Sequence, residues 1–354
     1  MRVALFNLGA EQPGRLLLII HHLAVDGVSW RILLSDLQTA YQQLERGEAI
    51  HLPPKTTSFK QWAERLRQYA HSAALQQDLE YWIAEPRLQI APLPVDFPRG
   101  SNTMAQARTV SVSLSVEETQ ALLQEVPAVY QTQINDVLLT ALVKAFEHWT
   151  GQRSLLIELE GHGREEIFND VNLSRAVGWF TALFPVLLEL GETSSLGEAL
   201  KSIKEQLRSI PQRGIGYGLL RYLSTEVAKA QLQALPQAKI TFNYLGQSDQ
   251  VFSQSSLFAP AQESSGPARS PRGNRSSLIE INGIVAGGQL RLNWTYSKAI
   301  HRQVTIESLA QSFLEALREL ITHCLSPNAG GYTPSDFPQM QFSQEELDEL
   351  LGEL

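Results

Sequence analysis

The chain has a single cysteine, Cys324, among its 354 residues, so it cannot form an internal disulfide. This cysteine usage is typical of a reducing compartment, and we expect a cytoplasmic protein. No apolar run approaches the roughly 18 residues of a membrane helix, and the N-terminus has no signal-peptide pattern. Blocks of like charge are also absent, and the net charge of −8 disfavours nucleic acid and anionic membranes as partners.

The remaining composition is that of an ordinary globular protein, with 43% hydrophobic and 19% charged residues. Its length allows two lobes, each with its own core. A proline-bearing connector at residues 91–100 predicts the boundary between an N-terminal lobe at 1–100 and a C-terminal lobe at 101–325. The chain begins abruptly with the first arm of a β-hairpin, so we expect part of the first lobe to be missing upstream.

Hydrophobic periodicity along the chain predicts an α/β or α+β protein with mixed sheets. Strands are predicted at residues 1–8, 15–20, 109–114, 155–159, 180–190 and 240–244, and on both sides of Gly287-Gly288. Helices are predicted at 29–44, 58–82, 115–123, 135–149, 196–207, 305–325 and 343–351, with a short one after Gly214. Residues 248–276, rich in Ser, Gln, Gly and Pro, predict a long mobile loop.

The most informative motif is His21-His22-Leu-Ala-Val-Asp26-Gly27, between an apolar strand and a helix. The unperturbed pKa of histidine lies nearest neutrality, so an imidazole at a strand end suits proton transfer. Adjacent side chains of a strand point to opposite faces, so only one of the two histidines can enter a given cleft. Two structural histidines are an equally good interpretation, and Asp26 could cap the helix or pair with an arginine.

A second polar cluster, Glu160-Gly-His162-Gly-Arg164, follows another predicted strand. A carboxylate held near an imidazole provides two groups for proton transfer on opposite sides of a substrate. The structural alternative is an ion pair between Glu160 and Arg164. Asn243 and Tyr244 lie on a further strand, where they could equally be a satisfied edge amide and a packed phenol.

Several other kinds of site are disfavoured. Gly214-Ile-Gly-Tyr-Gly218 looks like a phosphate loop but lacks the lysine and the preceding strand, so close helix–strand packing explains it better. No third ligand follows the two histidines at metal-ligand spacing. Ser29 is not in the Gly-x-Ser-x-Gly elbow of a serine hydrolase.

Six segments together resemble, in order, the motifs of epimerization domains in the condensation-domain superfamily of nonribosomal peptide synthetases. That superfamily is related in fold to chloramphenicol acetyltransferase. The segments are the His21–Gly27 motif with Ser29-Trp30, Asp136-Val-Leu-Leu-Thr-Ala141, Glu160-Gly-His-Gly-Arg-Glu165, Val177-Gly-Trp-Phe-Thr-Ala-Leu-Phe-Pro185, Gly214-Ile-Gly-Tyr-Gly218 and Phe242-Asn-Tyr-Leu-Gly246. Ordinary condensation domains share the first motif but usually lack the third and the last. The resemblance covers residues 1–325.

The resemblance implies a two-lobed chloramphenicol-acetyltransferase-like fold with mixed sheets and an incomplete first lobe. Residues 326–354 would form a linker toward a following module. The implied enzyme is an epimerase that converts the Cα of an aminoacyl or peptidyl thioester from L to D during nonribosomal peptide synthesis. Such synthesis produces antibiotics and other secondary metabolites. The partners implied are a peptidyl carrier protein and neighbouring synthetase modules. The resemblance implies no cofactor or metal on this chain, and it implies that the phosphopantetheine belongs to the carrier.

By position in these motifs, the resemblance implies that His22 and Glu160 are the catalytic pair, and which of them removes the proton stays open. Supporting or substrate-positioning roles are implied for His21, Asp26, Arg164, Asn243 and Tyr244. One alternative is a condensation domain that forms amide bonds with the same histidine. The other is an inactive, truncated fragment, and we expect the chain expressed alone to be poorly soluble or inactive. The sequence does not identify the amino acid or the final product.

Overall fold

A computed structural model of the protein describes residues 1–84, 90–191, 195–247, 257–261, 263–340 and 342–352. Both helices and strands run through these ranges, which confirms a mixed α and β class. The strands are β1 (Arg2–Phe6), β2 (Arg15–Ile19), β3 (Ala107–Ser113), β4 (Ser154–Gly161), β5 (Ala182–Glu189), β6 (Ile240–Gln247), β7 (Ile279–Ala286) and β8 (Gln289–Ser297). The helices are α1 (Gly27–Glu45), α2 (Phe59–Tyr69), α3 (Ala73–Gln77), α4 (Leu79–Trp82), α5 (Val116–Gln124), α6 (Val126–Tyr130), α7 (Ile134–Thr150), α8 (Leu196–Arg208), α9 (Ile215–Tyr222), α10 (Glu226–Ala234), α11 (Gln303–Cys324) and α12 (Gln344–Gly352).

Within the described ranges the strands form two sheets. β1 and β2 pair as an antiparallel hairpin, with Arg2 opposite Ile19. The other strands form a mixed sheet in the order β3-β8-β7-β6-β4-β5. β6 runs parallel to both of its neighbours, β4 and β7, while the remaining pairs are antiparallel. The carboxyl ends of β4 and β6 therefore meet at one edge of the sheet, the usual location of sites in open α/β sheets.

One face of the six-stranded sheet carries the main hydrophobic core. Along β8, buried and exposed residues alternate, and Leu292, Trp294 and Tyr296 are at most 1% exposed. Helices α7 and α11 pack on this face, where Phe146 and Phe313 lie against the Trp294 ring. This packing holds β4 and its neighbours in place.

The opposite face of the same sheet carries polar side chains. Residues two apart on a strand share a face, and the register sets Glu158 beside Thr241 and Thr241 beside Glu280. We call this surface the polar face. Its members on the three parallel strands are Glu158, Glu160, Thr241, Asn243, Glu280 and Asn282.

Local signals in the sequence account for most of the element boundaries. Ser115 and Glu118 form the predicted capping box at the start of α5, with bonds of 3.1 and 2.8 Å. The prediction of one continuous helical stretch over 58–82 is wrong, because three separate helices, α2, α3 and α4, occupy these residues. Ser72 starts a new helix there by accepting the Leu75 N–H at 3.2 Å.

In the glycine-rich segment 214–218, Gly214 serves the predicted helix–strand packing, whereas a Cβ on Gly216 would meet Leu75 of α3 and one on Gly218 would meet nothing within 4 Å. Gly214 has φ +86°, and a Cβ on it would lie 2.2 Å from the Phe184 ring of β5. The segment therefore turns tightly into α9 while touching the sheet. The predicted mobile loop includes residues 248–256 and 262, which lie outside the described residues.

The segment after α11 packs against the rest of the chain. Lys204 of α8 is buried and forms an ion pair with Asp336 at 2.6 Å, and it also donates to the Tyr130 carbonyl at 2.8 Å. Leu347 of α12 is buried as well. The division into two lobes and a linker stays a prediction. None of the helices in the described ranges is long and apolar enough to cross a bilayer.

Candidate active site

The two histidines that follow β2 occupy different environments. The Nδ1 atom of His21 accepts the Leu23 N–H at 3.1 Å and so caps a single 3-10 turn at His22–Ala24. His22 lines a cavity of about 770 Å³, which we call the first cavity, whereas His21 does not. The His22 ring lies 5.7 Å from the Trp179 ring, tilted by 56°. One histidine is therefore a capping residue and the other faces the cleft.

Asp26 has both of the structural roles that the sequence allows. It is the N-cap of α1, where its Oδ1 accepts the Ser29 N–H at 2.7 Å. It also pairs with Arg164 at 3.1 Å, and both side chains are less than 10% exposed. Burial raises the pKa of Asp26, but hydrogen bonds from Ser29 and Phe180 and the charge of Arg164 outweigh it, so the pKa falls below its usual value.

Around this ion pair, polar contacts fasten α1 to the segment that follows β4. The Ser29 hydroxyl donates to the Gly178 carbonyl at 2.9 Å and accepts the Gly178 N–H at 3.1 Å. The Phe180 N–H donates to Asp26 at 3.1 Å, and the Arg164 guanidinium lies 3.9 Å from the centroid of the Phe180 ring. Arg164 donates further to the carbonyls of Leu173 and Ala176. The turn that bears His22 is thus tied to the sheet that bears Glu160.

Glu160 lies near the end of β4, on the polar face and open to the first cavity. The parallel register places it beside Asn243 of β6, whose Nδ2 donates to Glu160 Oε2 at 2.6 Å. The proposed structural ion pair between Glu160 and Arg164 is wrong, since Arg164 bonds Asp26 instead. Glu160 is therefore oriented by an amide at the wall of the first cavity.

The surroundings of Glu160 raise its pKa above the ordinary value of a glutamate. Burial raises its pKa, and the carboxylates of Glu280 and Glu158 raise it further. His22 and Arg269 act in the opposite direction without cancelling this effect. A carboxyl group with a raised pKa is better matched to acid–base catalysis near neutral pH. The interaction with His22 also means that the two groups lie close enough to sense each other's charge.

Tyr244 and His162, which were also selected from the sequence, line the first cavity as well. Tyr244 follows Asn243 on β6, so its ring lies on the opposite side of the strand, where it packs against the core. Burial raises its pKa. His162 accepts the Arg164 N–H at 3.0 Å and lies 3.2 Å from Glu165, so it stabilises the turn after β4.

Sequence reasoning gave no role to two residues that the structure brings to the site. Trp179 contacts His22, and Ser29 joins α1 to Gly178. Both residues belong to segments that carry the resemblance. The sequence therefore indicates that these positions matter, but it does not indicate which residues they contact. Among the described residues, no cluster of three or more His, Cys, Asp or Glu side chains could hold a metal ion.

The chain is similar over most of its length to a known protein family and to several of its members. The family model for the condensation domain matches residues 1–342. One linear gramicidin synthase chain of Brevibacillus parabrevis is 50% identical over 348 residues, which cover 98% of this chain and 7% of the synthase chain. Another chain of the same synthase is 52% identical over 350 residues, which cover 98% of this chain and 4% of its relative. The protein thus spans less than a tenth of either relative.

Among solved structures, the epimerization domain from the third module of tyrocidine synthetase B is similar to this chain, with a TM-score of 0.83 and 41% identity. The match covers 91% of this chain and 72% of that domain. It confirms the predicted mixed-sheet fold of the chloramphenicol-acetyltransferase-like superfamily. The chain belongs to the condensation-domain family.

Proposed function

We propose that this chain epimerizes the Cα of an aminoacyl or peptidyl thioester, from L to D, while the substrate is held on the phosphopantetheine of a carrier protein. The observation that carries the proposal is the meeting of His22 and Glu160 at one cavity, from two distant parts of the chain. A carboxyl group and an imidazole that flank a carbon atom can remove a proton from one face and return one to the other.

One of the comparisons supports epimerization rather than amide-bond formation. The solved relative at 41% identity is an epimerization domain. The relatives from linear gramicidin synthase match over nearly all of this chain. A carrier-bound substrate and neighbouring synthetase modules are therefore the partners we propose.

The reaction needs two acid–base groups and a stabilised carbanion. One group takes the proton as the Cα–H bond breaks, and the electron pair moves onto the thioester carbonyl to give an enolate-like state. The other group then gives a proton to the opposite face of Cα, and the carbonyl re-forms. In our proposal Glu160 and His22 serve as these two groups, in either order. The raised pKa of Glu160 suits both accepting and donating a proton.

The remaining selected residues act on this pair as positioning residues. Asn243 orients the Glu160 carboxyl by its 2.6 Å hydrogen bond. Asp26 and Arg164 hold the start of α1, directly after the turn with His22, and His21 caps that turn. A contribution of Asn243 or Tyr244 to binding the thioester oxygen stays a prediction.

The test measures deuterium incorporation at Cα. The purified protein, extended by any in-frame coding sequence upstream of residue 1, is mixed in D₂O with a holo-carrier protein that bears an L-aminoacyl or L-peptidyl thioester. We expect exchange and a mixture of L and D product. Glu160→Gln should lower the exchange rate by about 10²–10⁴-fold, the usual contribution of a positioned acid or base. Glu166→Gln is the matched control, because Glu166 is exposed and lines neither described cavity.

The family match to condensation domains makes amide-bond formation the second candidate function. Supplying separate donor and acceptor carriers distinguishes the two reactions by mass spectrometry. A dipeptidyl thioester without deuterium at Cα would replace our proposal with condensation. Unchanged exchange in Glu160→Gln would overturn the role of this carboxyl group.

A further inference from the structure

A second cavity, of about 550 Å³, adjoins the first cavity at the candidate catalytic pair. Thr181 lines both cavities. Trp179 lines the second cavity while its ring contacts His22, which lines the first. The two cavities are therefore neighbours at Thr181 and Trp179, close to His22, which places the second cavity within reach of a substrate held by the candidate pair.

The second cavity is walled mainly by apolar side chains. Helices α2 and α9 and strand β5 enclose it, with aromatic and aliphatic contributions from Phe59, Trp62, Leu183 and Tyr217. Most binding pockets for organic ligands have this character, with few polar groups. The cavity thus suits an apolar extension of the substrate.

Glu158 brings this apolar space next to the catalytic carboxyl group. It lines the second cavity and lies two residues before Glu160 on the same face of β4. Two residues of a strand span roughly 7 Å. Burial raises the pKa of Glu158, against the hydrogen bond from Thr241 and the charge of Arg221. A chain attached to the reacting carbon at Glu160 therefore has to extend by about two residues in a strand-like conformation to reach the part of the second cavity that Glu158 lines.

One arginine, Arg221, lines the second cavity, where it donates to the Leu232 carbonyl at 2.9 Å. The first cavity has more than one arginine at its rim. Exposed Arg31 and Arg213 line it, and Arg213 is only loosely paired with Glu165, at 3.8 Å. Arginine is well suited to binding phosphate groups. The first cavity is thus the better match for a phosphopantetheine arm, which leaves the second cavity for another part of the substrate.

We propose that the second cavity holds the residues upstream of the reacting one, so that the substrate is a peptidyl thioester with apolar upstream side chains. This inference rests on the proposed epimerase function. The size of the space supports it, because an apolar cavity of about 150 Å³ already accommodates benzene. A single aromatic side chain would therefore leave most of the second cavity empty, whereas two or three peptide residues fill it.

Gly218 offers a direct way to fill this cavity. It lies on α9, lines the second cavity, and a Cβ on it would meet nothing within 4 Å. Leucine also favours a helix more than glycine does. Gly218→Leu should thus project into the cavity without disturbing the fold. Ala230→Leu, on an exposed position of the neighbouring α10, is the matched control because Ala230 lines neither cavity.

The experiment compares two substrates on the same holo-carrier protein, again by deuterium exchange at Cα. One is an L-leucyl, L-valyl or L-phenylalanyl thioester, and the other carries two leucines upstream of the same residue. We expect the wild type to prefer the peptidyl substrate. Gly218→Leu should lower its kcat/KM by about tenfold or more, as for a blocked apolar subsite, and leave the aminoacyl substrate unaffected. Ala230→Leu should change neither.

Other outcomes overturn the inference in distinguishable ways. Equal losses on both substrates would assign the second cavity to the phosphopantetheine arm, and no loss on either would show that it stays empty. Exchange on aminoacyl substrates alone would contradict the peptidyl assignment but keep the epimerase. Absence of exchange on every wild-type substrate would instead overturn the proposed function. Should Gly218→Leu fold poorly by circular dichroism, Ala63→Leu narrows the same cavity from α2.

Discussion

The two halves of the candidate active site are held by very different parts of the molecule. Glu160 lies on a strand inside a six-stranded sheet, whose far side is packed by α7 and α11. His22 follows the β1–β2 hairpin, in which Val3, Leu5 and Ile19 are all more than half exposed. The Glu160 half is positioned by a large hydrophobic core. The His22 half is positioned mainly by the polar contacts of Asp26 and its neighbours.

This difference determines how each half responds to damage. Core packing spreads over many side chains, so losing one of them costs stability but changes geometry little. A buried ion pair concentrates its effect in two groups, and removing one leaves the other charged and unpaired. We therefore expect the orientation of His22 to be more easily lost than that of Glu160.

The largest effect is expected from Arg164→Met, which removes the partner of buried Asp26. The free energy of unfolding should fall by about 3–5 kcal/mol, because an uncompensated buried charge remains. Urea unfolding measures this loss, and amide hydrogen exchange should accelerate in α1 far more than in β4. Arg46→Met is the control, since Arg46 pairs with Glu48 on the surface at 3.7 Å and should cost no more than about 1 kcal/mol. Similar losses of unfolding free energy in Arg164→Met and Arg46→Met would contradict the conclusion that the His22 half depends on this buried ion pair.

Two leucine-to-alanine variants test how much hydrophobic packing contributes in each half. Leu142 of α7 is fully buried in the main core, whereas Leu5 of β1 is 76% exposed. Leu142→Ala should lower the free energy of unfolding by about 2–5 kcal/mol. Leu5→Ala should change it by no more than about 0.5 kcal/mol. If Leu5→Ala destabilised the protein as much as Leu142→Ala, the hairpin would be buried in solution and the contrast between the two halves would fail.

The smallest expected effect is a change of folding stability with pH, and it has opposite signs for Glu160 and for Asp26. Burial raises the pKa of Glu160, so the folded protein holds this proton to higher pH than the unfolded chain does. Its ionisation penalty is absent below the ordinary pKa of about 4.5 and grows as the pH rises through the raised value. Glu160→Gln should therefore gain stability relative to the wild type as the pH rises from 4 toward neutrality, as measured by thermal unfolding.

Asp26 provides the contrasting titration, because its pKa is lowered in the folded protein despite burial. Its ionised form stabilises the fold above the ordinary pKa of about 3.8, and that contribution is lost as the pH falls through the folded value. Asp26→Asn should thus be less stable than the wild type at neutral pH and converge with it in acid. Parallel pH profiles for the Glu160 and Asp26 variants would contradict the opposite surroundings of these two carboxyl groups.

Much of the fold could be predicted because its signals are local. Alternating apolar residues around Gly287-Gly288 predict the β7–β8 hairpin, and Ser115 with Glu118 predicts the start of α5. Where local signals compete, prediction fails: Ser72 starts a new helix inside a stretch whose apolar spacing continues. Helix α10, which has a Thr225 cap, was not assigned from the sequence at all.

The candidate site was predictable in its members but not in its contacts. The resemblance selected His22, Glu160 and Asn243, but the hydrogen bond between the last two depends on β6 lying beside β4. Strand order depends on which faces bury the most apolar area, and no pattern within a single strand encodes it. For the same reason, the choice of Asp26 over Glu160 as the partner of Arg164 could not be read from their spacing.

The amino-acid order alone thus specifies the family, the individual helices and strands, and the residue types available for proton transfer, because propensity and motif are local properties. The tertiary structure decides that Glu160 lies in surroundings that raise its pKa, and that α1, next to the His22 turn, is fastened through Asp26. It also decides that a largely apolar cavity is lined by Trp179, which contacts His22, and by Glu158, two residues before Glu160. These features arise from residues far apart in the chain, whose distances are set by how the sheet and helices pack.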